Sequence, residues 1–295
     1  MFQSFEVTAR PEQGPPRLAA LRAELLRVGL DGFLVPRADA HQGEYVAPRD
    51  DRLAWLTGFT GSAGFCAALR DVAGVFIDGR YRTQVKAQVA EVFTPVPWPE
   101  VSLADWLKDQ LPEGFDPMLH TPGQMDLLVE ALAGSGIELR RSENMVDRVW
   151  ENQPAAPMGK VAAHPERFAG ESHAAKRQRL AADLRAAGQK AALITLPDSH
   201  NWLLNIRGQD IPRNPVAHGF AVLHDDARVD LFMAAEKLAD VADHLGPEVV
   251  QHDPAGLPNY LRALEGPVRL DRQSAPVLFA DLLGDRAQAG DDPCA

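Results

Sequence analysis

A chain of 295 residues is longer than one hydrophobic core usually serves, so two domains of roughly 150 residues each are expected. Hydrophobic residues make up 45% and charged residues 24% of the chain, with 23 Gly and 23 Pro, which excludes a low-complexity or disordered protein. The formal net charge of −11 argues against nucleic acid or an anionic membrane as partner, because both select clustered Lys and Arg. The two cysteines, Cys66 in an apolar run and Cys294 beside the last residue, make no disulfide framework and fit a reducing cytoplasm. Met1–Glu6 has no basic stretch followed by an apolar run, and no segment reaches the ~20 apolar residues that span a bilayer, so a soluble, unexported chain is expected.

After Pro15 and Pro16, which suit the first turn of a helix, Leu18, Leu21, Leu25 and Val28 share a helical face, and Gly29 is placed to cap it. Gly32–Pro36 reads as a buried strand, Asp39–Asp51 as a polar surface loop, and Arg52–Leu56 as a helical turn. Ser62–Leu69 and Ala73–Asp78 form a strand pair joined by a three-residue connection of hairpin length. A helix over Arg82–Val92, a strand over Phe93–Trp98, and helices over Leu103–Leu111 and Met125–Leu132 complete an α/β alternation. Gln153–Gly159 and Pro165 break the pattern, and the domain boundary is placed there, giving domains 1–161 and 162–295.

The second half repeats the first. Leu18–Pro36 compares with Leu180–Pro197, each a helix, a capping Gly and a buried strand ending in Pro, and Trp55–Phe59 compares with Trp202–Ile206. The second copy lacks most of the loop that holds Asp39–Asp51. His218–Leu223 and Arg228–Met233 give another strand pair, followed by a helix over Ala235–Leu245. Helix, glycine, strand is common in α/β proteins, so duplication and coincidence both stay open on this pattern alone.

Few residues point to chemistry. Gly58, Gly61 and Gly64 have neither the spacing nor the strand-to-helix order of a phosphate loop and are read as serving a tight turn. Cys66 alternates with Phe65 in an apolar strand and is read as core. The nine histidines show no metal-ligand spacing; His218 and His224 bracket one strand on the same face but lie too far apart for one ion. Asp225-Asp226 and Asp291-Asp292 fall in turn and tail sequence and are read as solvated. Two loops stand out. Asp39–Pro48 mixes His41 with Asp39, Glu44 and Tyr45, the kind of set that recognition loops carry. In Asp78-Gly79-Arg80-Tyr81 the chain leaves a strand and enters a helix, and Arg80 in that first turn opposes the helix dipole. Either Asp78 offsets it, or its guanidinium grips a carboxylate or carbonyl from elsewhere.

These segments also carry a resemblance. Val35-Pro36 with Asp39–Tyr45 and Ala47-Pro48, then Gly58–Gly64, Asp78–Tyr81 and Glu143–Trp150, are similar in order and kind to the first domain of the long Xaa-Pro aminopeptidases. Trp202–Asp210 with Asn214–Val216 is similar to their second domain. The resemblance implies two tandem, related α/β domains of the creatinase N-terminal type, each a mixed sheet flanked by helices (ribonuclease H-like). It further implies a third, pita-bread catalytic domain whose dinuclear metal site, usually manganese, is built from two Asp, one His and two Glu and removes an N-terminal residue that precedes proline. The segments bearing those ligands are not found in this chain, so the fragment alone is expected to hold no metal, to need no cofactor and to hydrolyse nothing. Arg80 matches the family Arg that contacts the peptide, and a homodimer, a proline-containing peptide substrate and a cytoplasmic location are implied with it. Ala217–Phe220 departs from the more aromatic, hydroxyl-bearing run of the family. A free-standing binding or scaffold protein reusing these domains is the alternative.

Overall fold

The computed structural model describes residues 9–108 and 113–295. The N-terminal hexapeptide and the end of the helix expected to reach Leu111 lie outside them. The chain divides into two compact units, one of Met1–Arg37, Pro48–Pro117 and Met125–Pro154, the other of Ala38–Ala47, Met118–Gln124 and Ala155–Ala295.

In the first unit, α1 (Gly14–Val28) buries Leu18, Leu21 and Leu25 and ends at Gly29, whose φ of 73° is the left-handed cap expected. Val28 is the exception, 36% exposed beyond the last buried turn. The chain continues through β1 (Gly32–Pro36), α2 (Arg52–Thr57), β2 (Phe65–Leu69), β3 (Ala73–Ile77), α3 (Gln84–Gln88), β4 (Thr94–Pro97), α4 (Leu103–Lys108), β5 (Glu113–Phe115), α5 (Pro122–Ala131), β6 (Leu139–Arg141) and α6 (Met145–Val149). The helix expected over Arg82–Val92 shrinks to five residues, because Val89 turns extended and Val92 is exposed; only Val85 of the three is fully buried. The six strands lie in the order β4-β3-β2-β1-β5-β6, with β2 antiparallel to both neighbours and every other pairing parallel. Phe33, Val35, Cys66, Val75 and Ile77 meet Leu21, Leu53, Leu56 and Val146 in the core. Each such side chain contributes roughly 1.5–3 kcal/mol when fully buried.

The second unit contains β7 (Ala162–Ala163), α7 (Glu166–Ala169), α8 (His173–Ala186), β8 (Ala191–Ile194), α9 (Pro197–Leu204), β9 (Ile206–Arg207), β10 (Phe220–His224), β11 (Val229–Phe232), α10 (Ala242–Leu245), β12 (Val249–His252), α11 (Leu257–Ala263), β13 (Val268–Leu270), α12 (Val277–Leu283) and β14 (Ala287–Ala289). Its sheet runs β12-β11-β10-β8-β13-β14, again with one strand, β10, antiparallel to its neighbours. Strand order and sense therefore repeat those of the first sheet, and the register repeats too, Phe65 opposite Phe76 and Phe220 opposite Phe232. Duplication is settled by topology. The helix expected over Ala235–Leu245 is instead a 3-10 turn at Ala235–Lys237 and the single turn α10, because Lys237 is drawn into the interior while Leu238, Val241 and Leu245 pack on the core.

The loop at Asp39–Asp51 is also not what its polarity suggests. Asp39 is 2% and His41 8% exposed, buried within the second unit, while Tyr45 stays 52% exposed.

Candidate functional site

All strands of the first sheet except β2 run the same way, so the C-terminal ends of β1, β3 and β4 and the start of β2 share one edge. Ligands of α/β sheets gather at such edges. Asp78-Gly79-Arg80-Tyr81 leaves β3 there. It forms a 3-10 turn rather than the expected helix start, with Asp78 as N-cap. Asp78 Oδ1 accepts the Arg80 amide at 2.9 Å, and the carboxylate takes Arg80 Nε at 3.1 and 3.2 Å and a terminal guanidinium nitrogen at 2.6 Å. The Arg80 hydrogen bond holds the Asp78 carboxyl below its ordinary range. Arg80 is nevertheless outward, its side chain 66% exposed, with the guanidinium carbon 5.2 Å from the centre of the Tyr81 ring.

Tyr81 is fixed in turn. Its hydroxyl meets Ser62 Oγ at 2.6 Å, which lowers its pKa, and its ring lies edge-on to Phe59 at 5.6 Å. Beside the turn, the Trp98 amide donates to the Ile77 carbonyl at 2.9 Å, and an ion pair between Arg82 and Glu100 ties the segment after β4 to the segment after β3. Phe65 stacks on Phe76 at 4.5 Å and meets Trp98 edge-on at 6.4 Å.

The corresponding corner of the second unit is closed. The 3-10 turn after β11 places Lys237 inside, where it pairs with the fully buried Asp210 and donates to the His218 carbonyl at 2.8 Å. Asp210 also accepts the Gly159 amide at 2.8 Å and the His218 amide at 2.5 Å. Ala38–Ala47 covers this corner. Its His41 ring stacks on Phe220 at 4.5 Å and lies 4.4 Å from His218, with Nδ1 3.2 Å from the Thr195 carbonyl oxygen. Burial pushes His41 and His218 down to about 4 and His200 to about 3, so the three imidazoles are neutral near pH 7. His200 Nε2 has no hydrogen-bond partner among the described residues.

His224 does not join His218. It meets Asp230 at 2.6 Å in a separate network with His252 and Tyr260, bordering a surface cavity of about 340 Å³. Burial raises the Asp230 pKa, but hydrogen bonds with His224, Tyr260 and His252 outweigh it and hold the carboxyl well below its usual range. Among the described residues, no three His, Cys, Asp or Glu side chains are arranged to hold a metal. No helix among them is long and apolar enough to cross a membrane.

The sequence singles out Arg80 and its Asp78 partner but not the Lys237–Asp210 pair. The pair spans 27 residues and has no local signature.

A duplicated α/β unit with one open and one closed corner defines a tandem-domain protein. The chain belongs to the creatinase/prolidase N-terminal domain family, whose models match residues 17–149 and 152–295. It is 37% identical over 243 residues to the probable Xaa-Pro aminopeptidase P of Paracoccidioides brasiliensis (strain Pb03), covering 79% of this chain and 39% of the relative. With that of Talaromyces marneffei it shares 34% over 278 residues, 89% and 41% of the two chains. X-prolyl aminopeptidase from Caenorhabditis elegans, described as a cytosolic enzyme with a di-nuclear active site, superposes with a TM-score of 0.87 at 26% identity, over 94% of this chain and 49% of that one. The chain thus spans two fifths to one half of the length of these proteins. Among the described residues, no grouping of side chains fits a dinuclear metal.

Proposed function

We propose that this chain is the substrate-recognition and dimerisation region of a metal-dependent Xaa-Pro aminopeptidase, and that alone it hydrolyses nothing. Supporting this are the likeness to Xaa-Pro aminopeptidases along most of the chain and the position of Arg80 at the edge where the C-terminal ends of β1, β3 and β4 meet, the kind of edge at which α/β sheets take ligands. Arg80 is the substrate-binding residue. Its guanidinium is already aligned by Asp78 and backed by Tyr81, so a peptide carbonyl or carboxylate meets an oriented planar donor set with little further ordering. The dinuclear metal, manganese in this proposal, is held outside these residues, in a pita-bread catalytic domain. The boundary between the two recognition domains is at residues 161 and 162, the enzyme is a cytoplasmic homodimer, and neither nucleic acid nor membrane is a partner.

Arg80→Ala in the full-length enzyme tests the assignment. A charge-assisted hydrogen bond contributes roughly 1.5–3 kcal/mol, so kcat/KM for Arg-Pro-Pro peptides is expected to fall by about one to two orders of magnitude. Arg80→Lys should recover only part, lacking the planar fork. An unchanged kcat/KM would make Arg80 structural. Separately, the purified, chelator-washed 295-residue chain is expected to carry no stoichiometric manganese and to leave Arg-Pro-Pro intact; proline-dependent cleavage by it would overturn the division of labour.

A further inference from the structure

Tyr81 and Lys237 occupy the same place in the two units. Phe76 and Phe232 match in register, so the 3-10 turns Gly79–Tyr81 and Ala235–Lys237 coincide residue for residue. Each turn ends on a side chain that reaches back to the segment just before the antiparallel strand: Lys237 donates to the His218 carbonyl, and the Tyr81 hydroxyl meets Ser62 Oγ at 2.6 Å. The residue before it is exposed in both, Glu236 in one turn and Arg80 in the other. This inward lock belongs to the fold, and what it holds differs. In the first unit it holds an aromatic ring, packed on the core, over which the Arg80 guanidinium lies at 5.2 Å.

The Gly58–Gly64 loop shapes the lock. Its Phe59 meets the Tyr81 ring edge-on at 5.6 Å, and a Cβ at Gly61 would run into the Phe59 ring. Arg37 ties the far side of the loop, its side chain donating to the Ser62 carbonyl and its amide to the Gly64 carbonyl, each at 3.1 Å. The Tyr81 ring is thereby held at its edge by Phe59 and at its hydroxyl by Ser62. Asp78 takes Arg80 through N–H bonds in the guanidinium plane, but an ion pair this exposed orders its members weakly, and a fixed ring face supplies the second constraint. We propose that Tyr81 is the positioning residue of this site: anchored by Ser62, its ring sets the plane in which Arg80 presents its donors to a peptide oxygen. The inference rests on the recognition role of Arg80 given above.

Two measurements test it. In the full-length enzyme, kcat/KM for Arg-Pro-Pro is compared for Tyr81→Leu and Tyr81→Phe, each with Arg80 present and in an Arg80→Ala background. Beside Arg80, Tyr81→Leu should lower kcat/KM roughly three- to tenfold and Tyr81→Phe, which keeps the ring, by no more than about twofold. In the Arg80→Ala background Tyr81→Leu should add nothing, which a merely structural tyrosine would not produce. Equal losses in both backgrounds, or no loss beside Arg80, overturn the positioning role. Thermal unfolding checks each variant, and Tyr81→Met replaces Tyr81→Leu if the latter folds poorly. In the 295-residue chain, the heteronuclear NOE of Arg80 Nε should fall on Tyr81→Leu and stay near wild type in Tyr81→Phe; an unchanged value in Tyr81→Leu also overturns it. If Arg80→Ala alone leaves kcat/KM unchanged while the NOE follows the ring, the recognition reading of Arg80 fails and the positioning by Tyr81 stands.

Discussion

Arg80 and Lys237 follow matching strands, yet their substitutions should behave in opposite ways. Arg80 is outward and its pair with Asp78 is solvent-screened, so Arg80→Ala should shift the stability of the chain by no more than about 1 kcal/mol. Lys237 and Asp210 are 4% and 0% exposed, and removing one member leaves an uncompensated buried charge. Lys237→Met is expected to cost about 3–5 kcal/mol, read from the urea midpoint; a loss below 1 kcal/mol would show that water reaches the pair. The three neutral histidines give a pH dependence of definite sign. Unfolded, each titrates near 6.5; folded, at about 3 to 4. Between those values the unfolded chain binds protons that the native state refuses. Stability is therefore complete above pH 6.5 and falls as the solution is acidified, by about 1.4 kcal/mol per pH unit for each independently titrating group, levelling only below the folded values. The other charges at this cluster are Asp39, Asp210 and Lys237, with Lys237 depressing and the carboxylates raising the imidazole pKa values. Urea midpoints measured at pH 7.5, 6 and 5 should decline, and His41→Gln should flatten the slope; a constant midpoint would contradict the neutral cluster.

At the scale of elements, two glycines distinguish conformational strain from collision. Gly29 and Gly58 both have positive φ, 73° and 86°, but a Cβ at Gly29 meets nothing within 4 Å, whereas one at Gly58 collides with the Gln88 carbonyl oxygen. Gly29→Ala should cost roughly 1–2 kcal/mol from backbone strain alone, and Gly58→Ala more, since α3 must also move. Equal costs would mean that α3 yields freely. Asn205 ends α9 in the same left-handed conformation, φ 49°, as Gly58 ends α2, so the aligned sequence pair Trp55–Phe59 and Trp202–Ile206 marked a true structural repeat. β1, the β2–β3 and β10–β11 hairpins and most of α1 were legible because hydrophobic period and glycine caps agree there. The short parallel strands β5, β6, β13 and β14 were not, since three residues carry no periodicity and are held by neighbours distant in sequence. The valine-spaced helix over Arg82–Val92 and the helix over Ala235–Leu245 failed for a related reason: tertiary contacts of Val85 and Lys237 overrode local pattern. Of the open corner, Arg80 and Asp78 were legible from charge at a strand end; the Arg82–Glu100 pair was not, because only the pairing of β3 with β4 brings those segments together.

For the molecule as a whole, Pro154 to Met158 is a largely exposed stretch shortly after the first family match ends at residue 149, at the start of the second. Limited proteolysis should cut there first, before Gly159 and Val161, whose amides are engaged by Asp210 and Lys237. Early cleavage elsewhere with this stretch intact would speak against a domain boundary there. The closed corner has a consequence for how the chain is made. His41 closes on Thr195 across 154 residues of sequence, among the longest-range contacts at either corner. During synthesis the loop therefore leaves the ribosome well before its seat exists, and it must wait until β8, β10 and the Lys237 turn have formed. Its docking is a late, high-contact-order closure, with the loop entropy of the whole first half to overcome, so the last signal to mature on refolding should come from the His41 environment.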